Sequence, residues 1–148
     1  MAGGAPPDAG GASEDAPLSA FLDTNILIRH LTGDPPEQAR RARAFLASAD
    51  ELLLPDLSVA EVVFVLESFY ELERERVADL VRAVIAFQPI VVAHVPLLLR
   101  ALEVYEVDRL DFAEAYLVAS AEASGVGAVA SFARSIDKVS TVRRIEPS

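Results

Sequence analysis

Short apolar runs and helical periodicities take turns along this chain from Leu18 to its end. "LSAFLD" (18–23) reads as a short buried strand, and "TNILIRHL" (24–31) opens a helix that Thr24 or Asn25 can cap. "DPPEQARRARAFLASA" (34–49) predicts a helix with Asp34 as N-cap and prolines in its first turn. "ELLLPDL" (51–57) is a second strand with Pro55 near its end, followed by a helix over "SVAEVVFVLESFY" (58–70) capped by Ser58 or Asp56. "ERERVADLVRAVIAF" (73–87) has the spacing of an amphipathic helix. A third strand, "PIVVAH" (89–94), leads into a helix over "VPLLLRALEVYEV" (95–107). "DFAEAYLVASAEASG" (111–125) predicts a helix starting at Asp111 and stopped by Gly125. "VGAVASF" (126–132) and "TVRRIEP" (141–147) complete a set of five strands.

Strands that alternate with helices from end to end predict a three-layer α/β/α sandwich with a central, mostly parallel sheet. Its crossovers should be right-handed. Ligands of such sheets bind outside the carboxyl ends of the strands, and Asp23 stands at the end of the first one. Residues 18–148 should form one domain. Residues 1–17, "MAGGAPPDAGGASEDAP", have almost nothing to bury and are expected to be a flexible tail.

Charge narrows the chemistry. The chain of 148 residues carries a net charge of −10, so no broad basic surface draws nucleic acid. It has no cysteine, which excludes disulfides, zinc–thiolate sites and thiol catalysis and fits a cytoplasmic protein. No basic-then-apolar leader opens it, and no apolar window is long enough to span a bilayer.

Four carboxylates stand out from this background. Asp23 is either an N-cap or a ligand. Glu61 is the only charge between Leu57 and Leu66, in a helix that reads as apolar nearly all round, so it is costly to bury unless paired or metal-bound; it either faces a solvent gap or pairs with an arginine, or it serves a site, the last being favoured. Asp111 and Glu114 share a face at a helix start, where they either complement the helix dipole or join a site. Converging acids raise one another's pKa. An all-oxygen set relieved by a divalent cation suits Mg²⁺ or Mn²⁺, and ions so held typically support in-line displacement at phosphorus. Other chemistries find no support. His30 and His94 read as surface or packed residues, "GVG" (125–127) as a helix stop, and no G-x-S-x-G elbow is present. The position two after Asp23, an aspartate in haloacid-dehalogenase-type phosphatases, is Asn25.

"FLDTNILIRHLTGDPPEQARRARAFL", "LSVAEVVFVLESFY" and "LDFAEAYLVASAEASG", in that order and spacing, resemble the PIN domain, most closely the VapC-type toxins of toxin–antitoxin pairs. The resemblance runs from residue 19 to about 146 and implies a metal-dependent endoribonuclease acting on structured RNA such as tRNA or rRNA. It also implies a homodimer held inactive by a VapB-type antitoxin. Carried over by position, Asp23, Glu61 and Glu114 match the metal-binding acids, Asp111 an accessory acid, and Thr24, Asn25 and Ser131 polar residues that order the site. Relatives of this kind read like Ser/Thr-Phe-Asp-Arg-Asp near the end, whereas this chain reads "SFARSIDKV". The fourth acid is thus Ala133 and the second aspartate of the pattern Ser135, while Asp137 stands where it could partly compensate. This leaves two expectations open: a metal-dependent nuclease, weakened or inactive through Ala133, or a binding protein on a nuclease fold that engages an antitoxin or RNA. Arg29, Arg109 and Arg134 could offset phosphate charge in the first, though each also reads as a plain surface arginine.

Overall fold

The computed structural model describes residues 18–148; the tail expected over 1–17 lies outside them. Every strand pairing in it is parallel. β1 (Ser19–Phe21), β2 (Glu51–Leu53) and β3 (Ile90–Val91) form one sheet in that order, with Ala20 opposite Leu52 and Leu52 opposite Ile90. β4 (Ala128–Ala130) pairs with β5 (Arg143–Ile145). The architecture is the expected α/β/α arrangement of parallel strands and helices. Its hydrogen bonds divide the strands into a set of three and a set of two among the described residues, not one continuous sheet.

The helices run between these strands. α1 (Thr24–Thr32) and α2 (Pro36–Ser48) link β1 to β2, and α3 (Asp56–Ser68) and α4 (Arg74–Ala86) link β2 to β3. α5 (Val95–Glu103) and α6 (Phe112–Ser124) precede β4. One core joins them all. Leu52 at the centre of the sheet, Leu66 of α3 and Leu98 and Leu102 of α5 are wholly buried, each stabilising the fold by about 1.5–3 kcal/mol.

Several boundaries differ from the sequence reading. Pro35, not Asp34, holds the N-cap position of α2, and the Asp34 carboxylate accepts a hydrogen bond from the Tyr70 hydroxyl (3.2 Å). α3 starts at Asp56, with Pro55 at its N-cap position, so neither Ser58 nor Asp56 caps it. Proline has no N–H for a ladder, and β2 ends two residues before it. The helix expected over 95–107 is α only to Glu103; Val104–Asp108 widen into a π turn, and Arg109 follows with φ +64°. Gly125 ends α6 as expected, in the left-handed conformation that glycine adopts without a Cβ penalty.

The β4–β5 pair is fastened to the helices by Glu122 of α6. Its carboxylate accepts from Arg100 of α5 (2.8 and 3.0 Å) and from the Thr141 hydroxyl ahead of β5. The Arg100 guanidinium holds the Glu122 carboxyl below the ordinary value of 4.5, with Thr141 adding to the effect. A depressed folded-state pKa stabilises above the unfolded value and is lost as pH falls through the folded one. Glu122→Gln should therefore cost about 1 kcal/mol at pH 7. Urea denaturation at pH 7 and at pH 3 checks this: the gap between the two proteins should narrow on acidification below 4.5.

Candidate functional site

Asp23 lies two residues beyond β1, at the N-cap position of α1. Its side chain is exposed and makes no capping hydrogen bond among the described residues. The capping role is therefore not what occupies this carboxylate. The next residue, Thr24, is buried, and its hydroxyl donates to Oε1 of Glu61 (3.1 Å). That bond ties the start of α1 to the second turn of α3.

Glu61 itself is exposed. The expectation of a carboxylate in a helix apolar nearly all round was mistaken in its premise. α3 also leaves Leu57 and Phe64 on the surface, at 82% and 64% exposure, so the apolar run does not mean all-round burial. No desolvation cost argues for a function of Glu61; its hydrogen bond to Thr24 does, by fixing one oxygen and leaving the other open.

A second clasp repeats this arrangement. Glu114, half-buried in the first turn of α6, accepts a hydrogen bond from the Ser135 hydroxyl (2.8 Å). Ser135 lies in a 3-10 turn, Arg134–Lys138, that follows β4. Asp111 holds the N-cap position of α6 without a side-chain capping bond among the described residues, and lines a shallow cleft with Phe64, Glu67 and Ser68 of α3. None of Asp23, Glu61, Asp111 and Glu114 forms a salt bridge among the described residues. Their charge is open to a ligand from outside.

The stretch after β4 is organised around an alanine. The backbone N–H of Ala133 donates to the Ser131 hydroxyl (2.9 Å), and the half-buried Ala133 methyl packs against the core. Asp137 does not compensate for the missing acid. Arg144 grips both of its oxygens (3.0 and 3.1 Å) and also donates to the Ser131 carbonyl. That fork holds the Asp137 carboxyl below its usual range and turns it towards β5.

The donor chemistry of this set is oxygen only, as a hard divalent cation prefers. The placement is looser. Among the described residues, no group of three acidic or histidine side chains is close enough together to hold a metal ion. The hydroxyl clasps bring Thr24 to Glu61 and Ser135 to Glu114, but they do not close the acids into one cage. His30 lies on α1 and is half-buried. Burial, aided by Arg43, lowers its pKa, and its buried Nδ1 has no partner among the described residues. No helix among these residues is long and apolar enough to cross a membrane.

One feature was missed in the sequence. Asn25 and Arg29 of α1 face Gln38, Arg41 and Phe45 of α2 across a cavity of about 330 Å³. Residues 38, 41 and 45 share a helix face, a pattern indistinguishable in sequence from ordinary amphipathic packing.

Comparison with known proteins places this arrangement in a family: a family model described as PIN domain matches residues 20–141. No curated protein matches the chain.

Proposed function

The chain belongs to the PIN domain family, a nuclease superfamily whose members generally use divalent metal ions, and on that premise we propose that it is an endoribonuclease of the VapC toxin type. Its substrate is structured RNA, tRNA or rRNA, cut to leave 5′-phosphate and 3′-hydroxyl ends. The observation that carries this reading is the pair of hydroxyl clasps, Thr24 to Glu61 and Ser135 to Glu114. Each orients a carboxylate that forms no salt bridge among the described residues.

Asp23, Glu61 and Glu114 stand too far apart as described to share an ion, so they would have to draw together to hold Mg²⁺ or Mn²⁺, with Asp111 supporting from the start of α6. A bound ion of this kind supplies positive charge at the scissile phosphate and makes water more acidic. The protein's part is to orient. Thr24 presents the open oxygen of Glu61, and Ser135 does the same for Glu114. Ser131 orders the neighbouring backbone by accepting from the Ala133 N–H, and Asn25 is the polar residue proposed to help order the site beside Asp23. A VapB-type antitoxin and a second copy of the chain are the proposed protein partners, and the cytoplasm is the proposed compartment.

A second reading, a non-cleaving protein that binds antitoxin or RNA, is favoured by Ala133 together with the diversion of Asp137 to Arg144. Metal removal separates the two. The nuclease should cleave tRNA in Mn²⁺ and stop when the ion is chelated, with products that accept ligation at their 5′ ends. Cleavage that persists in chelator would point to a contaminating enzyme and sink the assignment.

A further inference from the structure

From the cavity between α1 and α2, we infer a subsite that takes one unpaired nucleotide of the RNA next to the cut, its phosphate on Arg29 and Arg41 and its base against Phe45. The inference rests on the RNA-cleaving reading and adds to it where the substrate lies. Charge is the first argument. In a chain of net charge −10, Arg40, Arg82, Arg100, Arg109 and Arg144 are paired with carboxylates. Arg29 and Arg41 have no carboxylate partner among the described residues, as is also true of Arg43, Arg74, Arg76, Arg134, Lys138 and Arg143, but these two line one cavity together. Two guanidinium groups at one cavity make a local positive spot on a chain of acidic net charge.

Shape and polarity are the second argument. The cavity, about 330 Å³, is walled by the half-buried ring of Phe45 and edged by the amides of Asn25 and Gln38. An aromatic face beside a guanidinium is how proteins hold an unstacked base. Gln38 accepts from Arg29 Nε (2.8 Å) through its amide oxygen, which leaves its NH₂ group to donate to a base edge. The same bond stiffens Arg29 with its terminal nitrogens free for a phosphate. A paired base stack does not fit a cavity of this size, so the subsite selects unpaired nucleotides.

Position is the third. Asn25 lies two residues after Asp23, and Arg29 follows it one turn along α1, about 6 Å away at helical rise. A strand with its reacting phosphate at Asp23 therefore meets this cavity at its next nucleotide.

The test uses a fluorescein-labelled RNA hairpin with an unpaired loop and a fully paired RNA of equal length, on the whole chain in Mn²⁺. Arg41 is exposed, so its loss should not disturb folding. Arg41→Ala should weaken hairpin binding about 10-fold and lower the salt slope by about one. It should raise KM for cleavage with kcat little changed. Phe45→Leu should weaken binding by a similar factor with a smaller change in salt slope. Arg43→Ala removes a charge from the same helix outside the cavity and should match the parent. Equal losses for Arg41→Ala and Arg43→Ala, or equal binding of hairpin and duplex, overturn the subsite while leaving the nuclease reading intact. A chain that neither binds nor cuts either RNA overturns both.

Discussion

Glu61→Gln is expected to lower RNA cleavage by about 10²–10³-fold, and Ala133→Asp to raise it by about 10²-fold, in the same Mn²⁺ assay. The two substitutions act on one electrostatic quantity from opposite sides. Glutamine keeps the acceptor oxygen that Thr24 holds and removes only the charge. Glu61 is exposed, so the fold should lose less than about 0.5 kcal/mol. The drop in rate then reports the carboxylate and not a damaged protein.

Ala133→Asp restores an anion on the segment that Ser135 clasps to Glu114. Without metal it should cost about 1 kcal/mol, because a charge replaces a methyl packed against the core. With Mn²⁺ that cost should reverse, since an ion that binds only the folded state stabilises it by mass action. Thermal unfolding with and without Mn²⁺ therefore supplies a readout independent of cleavage: the metal-induced rise in Tm should be larger for Ala133→Asp than for the parent. An aspartate variant that neither cuts faster nor responds more to Mn²⁺ would remove position 133 from the site. Cleavage that appears only in that variant would support the binding-protein reading for the natural chain.

The sequence exposed the fold well where periodicity was strong. α1, α4 and α6 fall within two residues of their expected spans, α4 and α6 because an amphipathic repeat and a terminal glycine marked them, whereas Thr24 and Asn25, the caps expected for α1, lie inside that helix with Asp23 at its N-cap position. The π turn at Val104–Asp108 was not legible. "EVYEV" continues a helical apolar pattern, and the contacts that Tyr105 makes there, with Glu67 of α3 and Arg74 of α4, lie far from it in sequence. The site was partly legible. Asp23 at a strand end and Glu114 at a helix start could be placed from local pattern alone. The environment of Glu61 could not, because a run of apolar residues does not reveal which side of a helix the core occupies, and Leu57 and Phe64 lie on the solvent side. The diversion of Asp137 was invisible for the opposite reason. Its partner, Arg144, is seven residues on, across a turn whose course depends on the β4–β5 pairing.

Arg74→Met should destabilise the protein by about 3 kcal/mol and lower Tm by about 10 °C. Arg74 is the brace of the π turn. One of its guanidinium nitrogens donates to the carbonyls of Tyr105 (2.8 Å) and Leu110 (2.6 Å), and the group lies 4.4 Å from the centre of the Tyr105 ring. Tyr105 and Leu110 are wholly buried, so loss of the donor strands two carbonyls away from water. The same tyrosine donates its hydroxyl to Glu67 of α3, and burial together with that bond pushes its pKa upward. Arg74 thereby couples α4 to the segment that sets the start of α6, where Asp111 and Glu114 stand. Methionine preserves much of the volume and none of the donors; lysine preserves the charge and one donor direction. Arg74→Lys should therefore recover about half of the lost stability, whereas a purely packing role would rank methionine equal to or above lysine. Urea unfolding of the three proteins gives the order. If Arg74→Met costs less than about 0.5 kcal/mol, the carbonyls are satisfied by water and the brace is not what seats α6.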